Sequence, residues 1–280
     1  MVILIAVLGV AAIAVVGGLA AYSPSFAATA TRPLGHPWVA TVKRRLVRTR
    51  EHLVHELTPL GAYVAIGAAG VGAIGALFWP LGKLAYQMGP FDRAVFEWFQ
   101  ANQVPGWSEA MNLLTQMGNG LETKVYVVVG SIALALIAPR RRWVPPLVIV
   151  SVYVLEHFMQ QALREVVDRG HPPTTLGTWV SGGCARLICV LGIILYLYFR
   201  YRQPGRRTVI VGWTVLAVLA YIEGYTRAYT LRHWLTDVFG GWLFGLLLLL
   251  LMVAVTQAVD RPWSPRQVDP ESSTDSGAYP

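Results

Sequence analysis

Between two apolar runs, each long enough to cross a membrane, the chain carries Thr226-Arg227-Ala228-Tyr229-Thr230-Leu231-Arg232-His233-Trp234-Leu235-Thr236-Asp237. His233 and Asp237 are four apart, so a helix beginning near His233 sets them on one face, with a carboxylate placed to hold and polarise the imidazole. Such a pair makes a nucleophile or a base. Six residues upstream stands Arg227, whose planar fork of donors suits a phosphate better than any other side chain. Glu223, one turn earlier, can pair with it. A second polar stretch, Arg164-Glu165-Val166-Val167-Asp168-Arg169-Gly170-His171-Pro172, and a third, Ser181-Gly182-Gly183-Cys184-Ala185-Arg186, also sit at the ends of apolar runs. Ser181-Gly182-Gly183 at the start of a helix is a ready anion cradle, because unpaired backbone N–H groups and the positive dipole end point at the ligand.

The elements that must position these residues are membrane helices. Hydrophobic residues make up 55% of the 280, charged ones 14%, and the mean hydropathy is +0.49, which is the composition of an integral membrane protein. Seven spans are expected: 1–22, 60–81, 123–138, 144–167, 185–201, 209–229 and 234–255. The first reads as an N-terminal transmembrane anchor over 1–22, retained because no basic residues precede it and a strongly basic segment follows. Residues 31–58 read as a basic amphipathic helix on the cytoplasmic surface, and 262–280 as a polar, disordered tail. In the second span Ala68, Gly72 and Ala76 recur every four positions, which allows close helix packing. Two short amphipathic pieces, 91–101 and 107–117, are expected at the outer interface. Trp79, Trp98, Trp107, Trp143, Trp179 and Trp234, near span ends, read as an interfacial belt.

Orientation follows from the 23 Lys and Arg residues, since basic residues accumulate in cytoplasmic loops. Those at 31–58, 140–142, 200–207 and in the tail all fall on one side of a seven-span chain. Arg164, Arg169, Arg186, Arg227 and Arg232 fall on the other, so they need another reason to be there. Glu156, inside the fourth span, should face the bundle and have a partner. Cys184 and Cys189, five apart in one apolar run, read as buried thiols. The basic residues lack aromatic interleaving, so the net charge of +8 does not point to nucleic acid.

The spacing Arg-x5-His-x3-Asp, led by Thr226, resembles the third signature of the type 2 phosphatidic acid phosphatase superfamily, the lipid phosphate phosphatases and their relatives, where the head is Ser-Arg. Arg164-x6-His171-Pro172 is similar to the first signature, Lys-x6-Arg-Pro, with both basic residues changed. Val180-Ser181-Gly182-Gly183 keeps only Ser-Gly of the second, Pro-Ser-Gly-His. The resemblance covers roughly 60–255 and implies an all-α, polytopic six-helix phosphatase core with one extra N-terminal anchor. It implies a metal-independent hydrolase with no cofactor, in which His233 forms a phosphohistidine on a lipid phosphate or diphosphate and Asp237 orients the ring. Arg164 and Arg227, with the backbone around Ser181, Gly182 and Gly183, would hold the phosphate, and Arg169 and Arg186 could restore lost positive charge.

The resemblance assigns protonation of the leaving group to the second-signature histidine, which Gly183 cannot perform. His171 is a candidate substitute, and a diphosphate, whose leaving group is already acidic, needs the proton less. Candidate substrates are phosphatidate, phosphatidylglycerophosphate and polyprenyl phosphates or diphosphates, held in a bacterial plasma membrane with the site facing outside. The alternatives are a weak or inactive relative that binds anionic lipid or a partner protein, and a lipid phosphotransferase.

Overall fold

The computed structural model describes residues 1–22, 59–139, 141–174 and 178–259, and the regular structure among them is helical throughout. The basic segment 31–58 and the tail 262–280 lie outside the described residues. In chain order the helices are α1 (Val2–Tyr22), α2 (Pro59–Gln87), α3 (Gly89–Ala101), α4 (Trp107–Leu114), α5 (Gly120–Ile137), α6 (Val144–Val167), α7 (Gly182–Arg202), α8 (Arg206–Tyr229) and α9 (Leu235–Val259). Among the described residues, six of these, α2 and α5 to α9, are long and apolar enough to cross a membrane. The fold is a polytopic membrane helix bundle. The expected fourth span coincides with α6, where Pro145 and Pro146 open the helix and Asp168, in the left-handed region at φ 38°, closes it.

The apolar centre gathers Phe78 of α2, Ile149 and Val152 of α6, Val190 and Ile193 of α7, and Phe244 and Leu248 of α9, all fully buried. Phe78 meets Phe244 edge-on at 5.2 Å between ring centroids. Glycines let α9 lie directly on α7. A Cβ at Gly241 would stand 2.5 Å from the Ser181 carbonyl oxygen, and one at Gly245 the same distance from that of Ala185. Two glycines one turn apart thus set the start of α7 against the start of α9. Within α7 the helix widens to a π turn over Leu187–Leu191 before resuming.

Two expectations are corrected here. The Ala68, Gly72, Ala76 stripe of α2 is exposed; the packed face instead carries Gly70 against Leu251, then Ile74, Phe78 and Gly82. Volume explains this, since the large residues of that neighbouring stripe fill the centre and the small ones cannot. Trp179 is not interfacial but buried, its indole wedged between Phe78 and Gly240. Glu156 behaves as expected: it is fully buried in α6 and faces Arg186 of α7 at 3.7 Å. Both cysteines are free and buried.

α1 packs along α8. It runs antiparallel to α8, with Gly9 against Tyr221 and Gly17 against Thr214. Tyr221, Tyr225 and Tyr229 recur every four residues on α8. Tyr225 donates to the Val2 carbonyl at 2.9 Å, Tyr221 donates to that of Ile5 at 3.0 Å, and the Tyr229 hydroxyl accepts from the Val104 amide at 2.9 Å. This face of α8 grips the periphery while the other carries Glu223 and Arg227.

Candidate active site

The loop from Thr230 to Trp234 turns the chain from α8 into α9 and is held by the last carbonyls of α8. The Arg227 carbonyl accepts from the amides of Arg232 at 3.0 Å and His233 at 3.3 Å, and the Thr226 carbonyl accepts from the Thr230 hydroxyl at 2.6 Å. These groups would otherwise be orphaned at a helix end. Leu231 takes φ 60° to make the turn. α9 begins at Leu235, so Asp237 is its third residue, and Asp237 Oδ2 reaches back to accept from the Trp234 amide at 3.2 Å. The acid is thereby locked at the positive end of α9.

His233 Nδ1 faces Asp237 Oδ2 at 3.6 Å, an ion-pair separation beyond hydrogen-bond length. The carboxylate is fully buried and the imidazole 10% exposed. Burial pushes the imidazole below its ordinary value; Asp237 pulls it up, and Arg227 and Arg186 add to the downward push. A neutral, oriented imidazole is the form that can attack an electrophile.

Arg227 is built in from three sides. Its Nε donates to Glu223 Oε1 at 2.7 Å and its Nη2 to Asn119 Oδ1 at 2.8 Å, while Nη1 makes no hydrogen bond among the described residues. Beneath it lies Gly183: a Cβ there would stand 2.4 Å from Nη2 and 2.7 Å from Cζ. The guanidinium occupies the space that a side chain at 183 would need, which accounts for a glycine at this position. Gly183→Ala is therefore expected to push Arg227 off Asn119, costing about 1–3 kcal/mol as overpacking does. Denaturation in detergent checks it: Asn119→Ala, destabilising alone, should add little in the Gly183→Ala background.

The Ser-Gly-Gly cradle is partly closed. The Ser181 amide donates to the Asp237 carbonyl at 2.9 Å and is not available to an anion, a consequence of the close approach of α9. Gly182 is covered by Gln160, whose Nε2 donates to the Val180 carbonyl at 3.2 Å. Arg186 lies deeper, its Nε donating to the Gly118 carbonyl at 3.3 Å and its Nη1 facing Glu156.

Arg164 and His171 share a cleft with Glu165, Asp168, Arg169, Gly170, Thr178 and Trp179. His171 donates from Nδ1 to the Pro172 carbonyl at 2.8 Å, so Nε2 is the nitrogen free to exchange a proton. Arg169 links this cleft to the His233 pair, because its Nη1 donates to Asp237 Oδ1 at 3.0 Å and to Thr236 Oγ1 at 2.6 Å.

Sequence reasoning missed Asp92, Asn119 and Thr236. Asp92 of α3 is 1% exposed; it accepts from the Thr236 amide and hydroxyl and pairs with Arg169. The signal was available: Asp92 lies on the apolar stripe of α3 with Val95, Phe96 and Phe99, where an acid must have a partner. Asn119 stood in Gly118-Asn119-Gly120, which reads as a turn and nothing more.

Residues 147–261, which hold all three signatures, match the PAP2 superfamily. Over that stretch the chain is similar to the PAP2 superfamily. Phosphatidylglycerophosphatase B of Bacillus subtilis (strain 168) is 23% identical over 164 residues, covering 56% of this chain and 79% of that protein. The crystal structure of a transmembrane PAP2-type phosphatidylglycerolphosphate phosphatase from Bacillus subtilis superposes with a TM-score of 0.61 at 20% identity, covering 68% of this chain and 98% of that one. That likeness is one of fold. In this chain the stretch like the third signature keeps its Arg, His and Asp with Thr226 at the head, and the Arg227 guanidinium lies where a side chain at position 183 would stand.

Proposed function

We propose that this chain is a PAP2-like lipid phosphatase that removes a phosphate from a membrane lipid monophosphate or diphosphate through a phosphohistidine at His233. The observation that carries the reading is a buried carboxylate facing His233 Nδ1 while Arg227, with Nη1 uncommitted, begins the same turn. The lone pair on Nε2 forms the P–N bond as the P–O bond to the lipid breaks, and the leaving oxygen takes a proton. Water then breaks the P–N bond, releasing phosphate and restoring the neutral ring. Arg227, with Arg164 from the adjoining cleft, neutralises charge on the phosphoryl oxygens as it develops. His171 Nε2 supplies the proton that position 183 cannot, and a diphosphate substrate lessens that need.

Charge supports an outward-facing site. His233, Asp237 and Arg227 sit at one end of the bundle, and Arg141, Arg142, Arg202, Arg206 and Arg207 mark the loops at the other, which favours a site on the outer face of the plasma membrane. The lipid tail stays in the bilayer while the headgroup reaches the site. Phosphatidylglycerophosphate, after which the Bacillus subtilis relative is named, joins phosphatidate and polyprenyl phosphates and diphosphates as candidate substrates.

The test is phosphate release from a panel of these lipids by detergent-purified protein, with and without an added alcohol. Release independent of alcohol is expected. Release that requires the alcohol would make the chain a phosphotransferase, and binding without release would make it an anionic-lipid binder.

A further inference from the structure

Asp92, Arg169, Thr236 and Asp237 form a closed cluster where α3, the end of α6 and the start of α9 meet. Asp92 and Thr236 are 144 residues apart in the chain, yet the carboxylates and the guanidinium of the cluster are at most 3% exposed. Asp92 Oδ1 accepts from the Thr236 amide at 3.0 Å, and Asp92 Oδ2 accepts from the Thr236 hydroxyl at 2.6 Å and from Arg169 Nη2. Arg169 Nη1 in turn holds Thr236 Oγ1 and Asp237 Oδ1, and the Trp179 indole lies 5.8 Å from the guanidinium carbon. Every oxygen of the two carboxylates is thus engaged or faces His233.

We infer that Arg169 and Asp92 are positioning residues for His233, acting through Asp237: Asp92 anchors the guanidinium, and the guanidinium fixes the Asp237 carboxylate and shares its charge. The inference rests on the phosphohistidine reading for its chemical purpose. A carboxylate can turn about its Cβ–Cγ bond; with Oδ1 on Arg169 and Oδ2 on the Trp234 amide, it cannot turn away from the ring. A lone buried carboxylate beside an imidazole also draws a proton onto it, and an imidazolium has no lone pair at Nε2 with which to attack. Splitting Asp237 between His233 and Arg169 keeps the orienting contact and weakens the protonating one. Asp92 prevents the guanidinium from taking Asp237 for itself.

Among the described residues, the charged groups that act on the ring are Asp237 of α9, Arg227 of α8 and Arg186 of α7; Glu223 of α8 stands behind Arg227, Arg169 after α6 and Asp92 of α3 stand behind Asp237, and Arg232 shares the loop. Glu156 of α6 is engaged with Arg186, and Lys83 of α2 is exposed. Removing the positive member of the clamp should raise the proton affinity of His233, and removing the negative member should lower it. Loosened packing would instead hydrate the ring and raise it in both cases.

The experiment is a ¹⁵N-histidine NMR titration of the full chain in detergent, with His233→Asn identifying the signal among six histidines. Relative to wild type, Arg169→Gln should move the His233 midpoint up by about one pH unit and Asp92→Asn down by about half a unit or more. Should Arg169→Gln not fold, Arg169→Lys takes its place with a smaller upward shift, because an ammonium cannot hold three partners in the geometry of a planar fork. An upward or absent shift in Asp92→Asn overturns the inference. The titration does not need turnover, so the two readings fail separately. Shifts of the expected signs in a protein that releases no phosphate would leave the clamp standing and remove the phosphatase reading. Active wild type without the shifts would do the reverse.

Discussion

His233→Ala is expected to lower phosphate release by about 10⁴-fold or more, the scale seen when a covalent nucleophile is removed and only binding and charge stabilisation remain. One ring nitrogen faces Asp237, which leaves the other for the attack on phosphorus in the proposed mechanism. Labelling with a ³²P-lipid and acid-quenching should trap an acid-labile, base-stable adduct in wild type and none in the variant. The pH profile gives a second check. Burial lowers the His233 pKa, and the neutral ring is the reactive form, so the acid limb of kcat/KM should fall below the ordinary histidine value of about 6.5. A limb at or above that value would mean the ring attacks from a more solvated position than the fold gives it. Equal release by both proteins would remove the nucleophile from the mechanism.

Arg227→Ala is expected to do two separable kinds of damage. Loss of the guanidinium removes the phosphate's main counter-charge, which in phosphoryl transfer costs about 10³- to 10⁵-fold in rate. It also strands Glu223, fully buried with Oε1 paired to Arg227 Nε and Oε2 making no side-chain pairing among the described residues. Breaking a buried pair by removing one member costs about 3–5 kcal/mol, because the remaining charge is uncompensated. The double variant Arg227→Met with Glu223→Leu should regain most of that stability and none of the activity. Denaturation midpoints and release rates, measured on the single and double variants, separate the two effects. A double variant as unstable as Arg227→Ala would show that Asn119, rather than Glu223, depends on the guanidinium.

Helices were legible because membrane spans are set by length and apolarity, quantities local to the sequence. The expected and observed limits of α6 coincide, and α8 and α9 differ from expectation by a few residues, mainly at the ends away from His233. His233, Asp237, Arg227 and Glu223 were legible for the same reason, since one turn of helix or one short loop brings them together. What escaped were contacts set by tertiary packing. Asp92 meets Thr236 across 144 residues and Asn119 meets Arg227 across 108, distances over which no periodicity carries information. The Ser181 amide looked free because nothing in its own neighbourhood announces that α9, thinned by Gly241 and Gly245, will come close enough to use it. Gly183 looked like a loss. Its meaning emerged only once Arg227 was seen lying over it.

Asp92 and Asn119 both precede the stretch, 147–261, that aligns with the family. Heritable signatures and working machinery therefore have different borders here. A fragment trimmed to the aligned stretch would keep every signature residue yet leave two buried guanidiniums each short of an acceptor. Grafting that stretch onto another membrane scaffold would meet the same deficit unless the scaffold supplied an acid against the start of α9 and an amide oxygen beside Gly183. The smallest transplantable unit reaches back through α3.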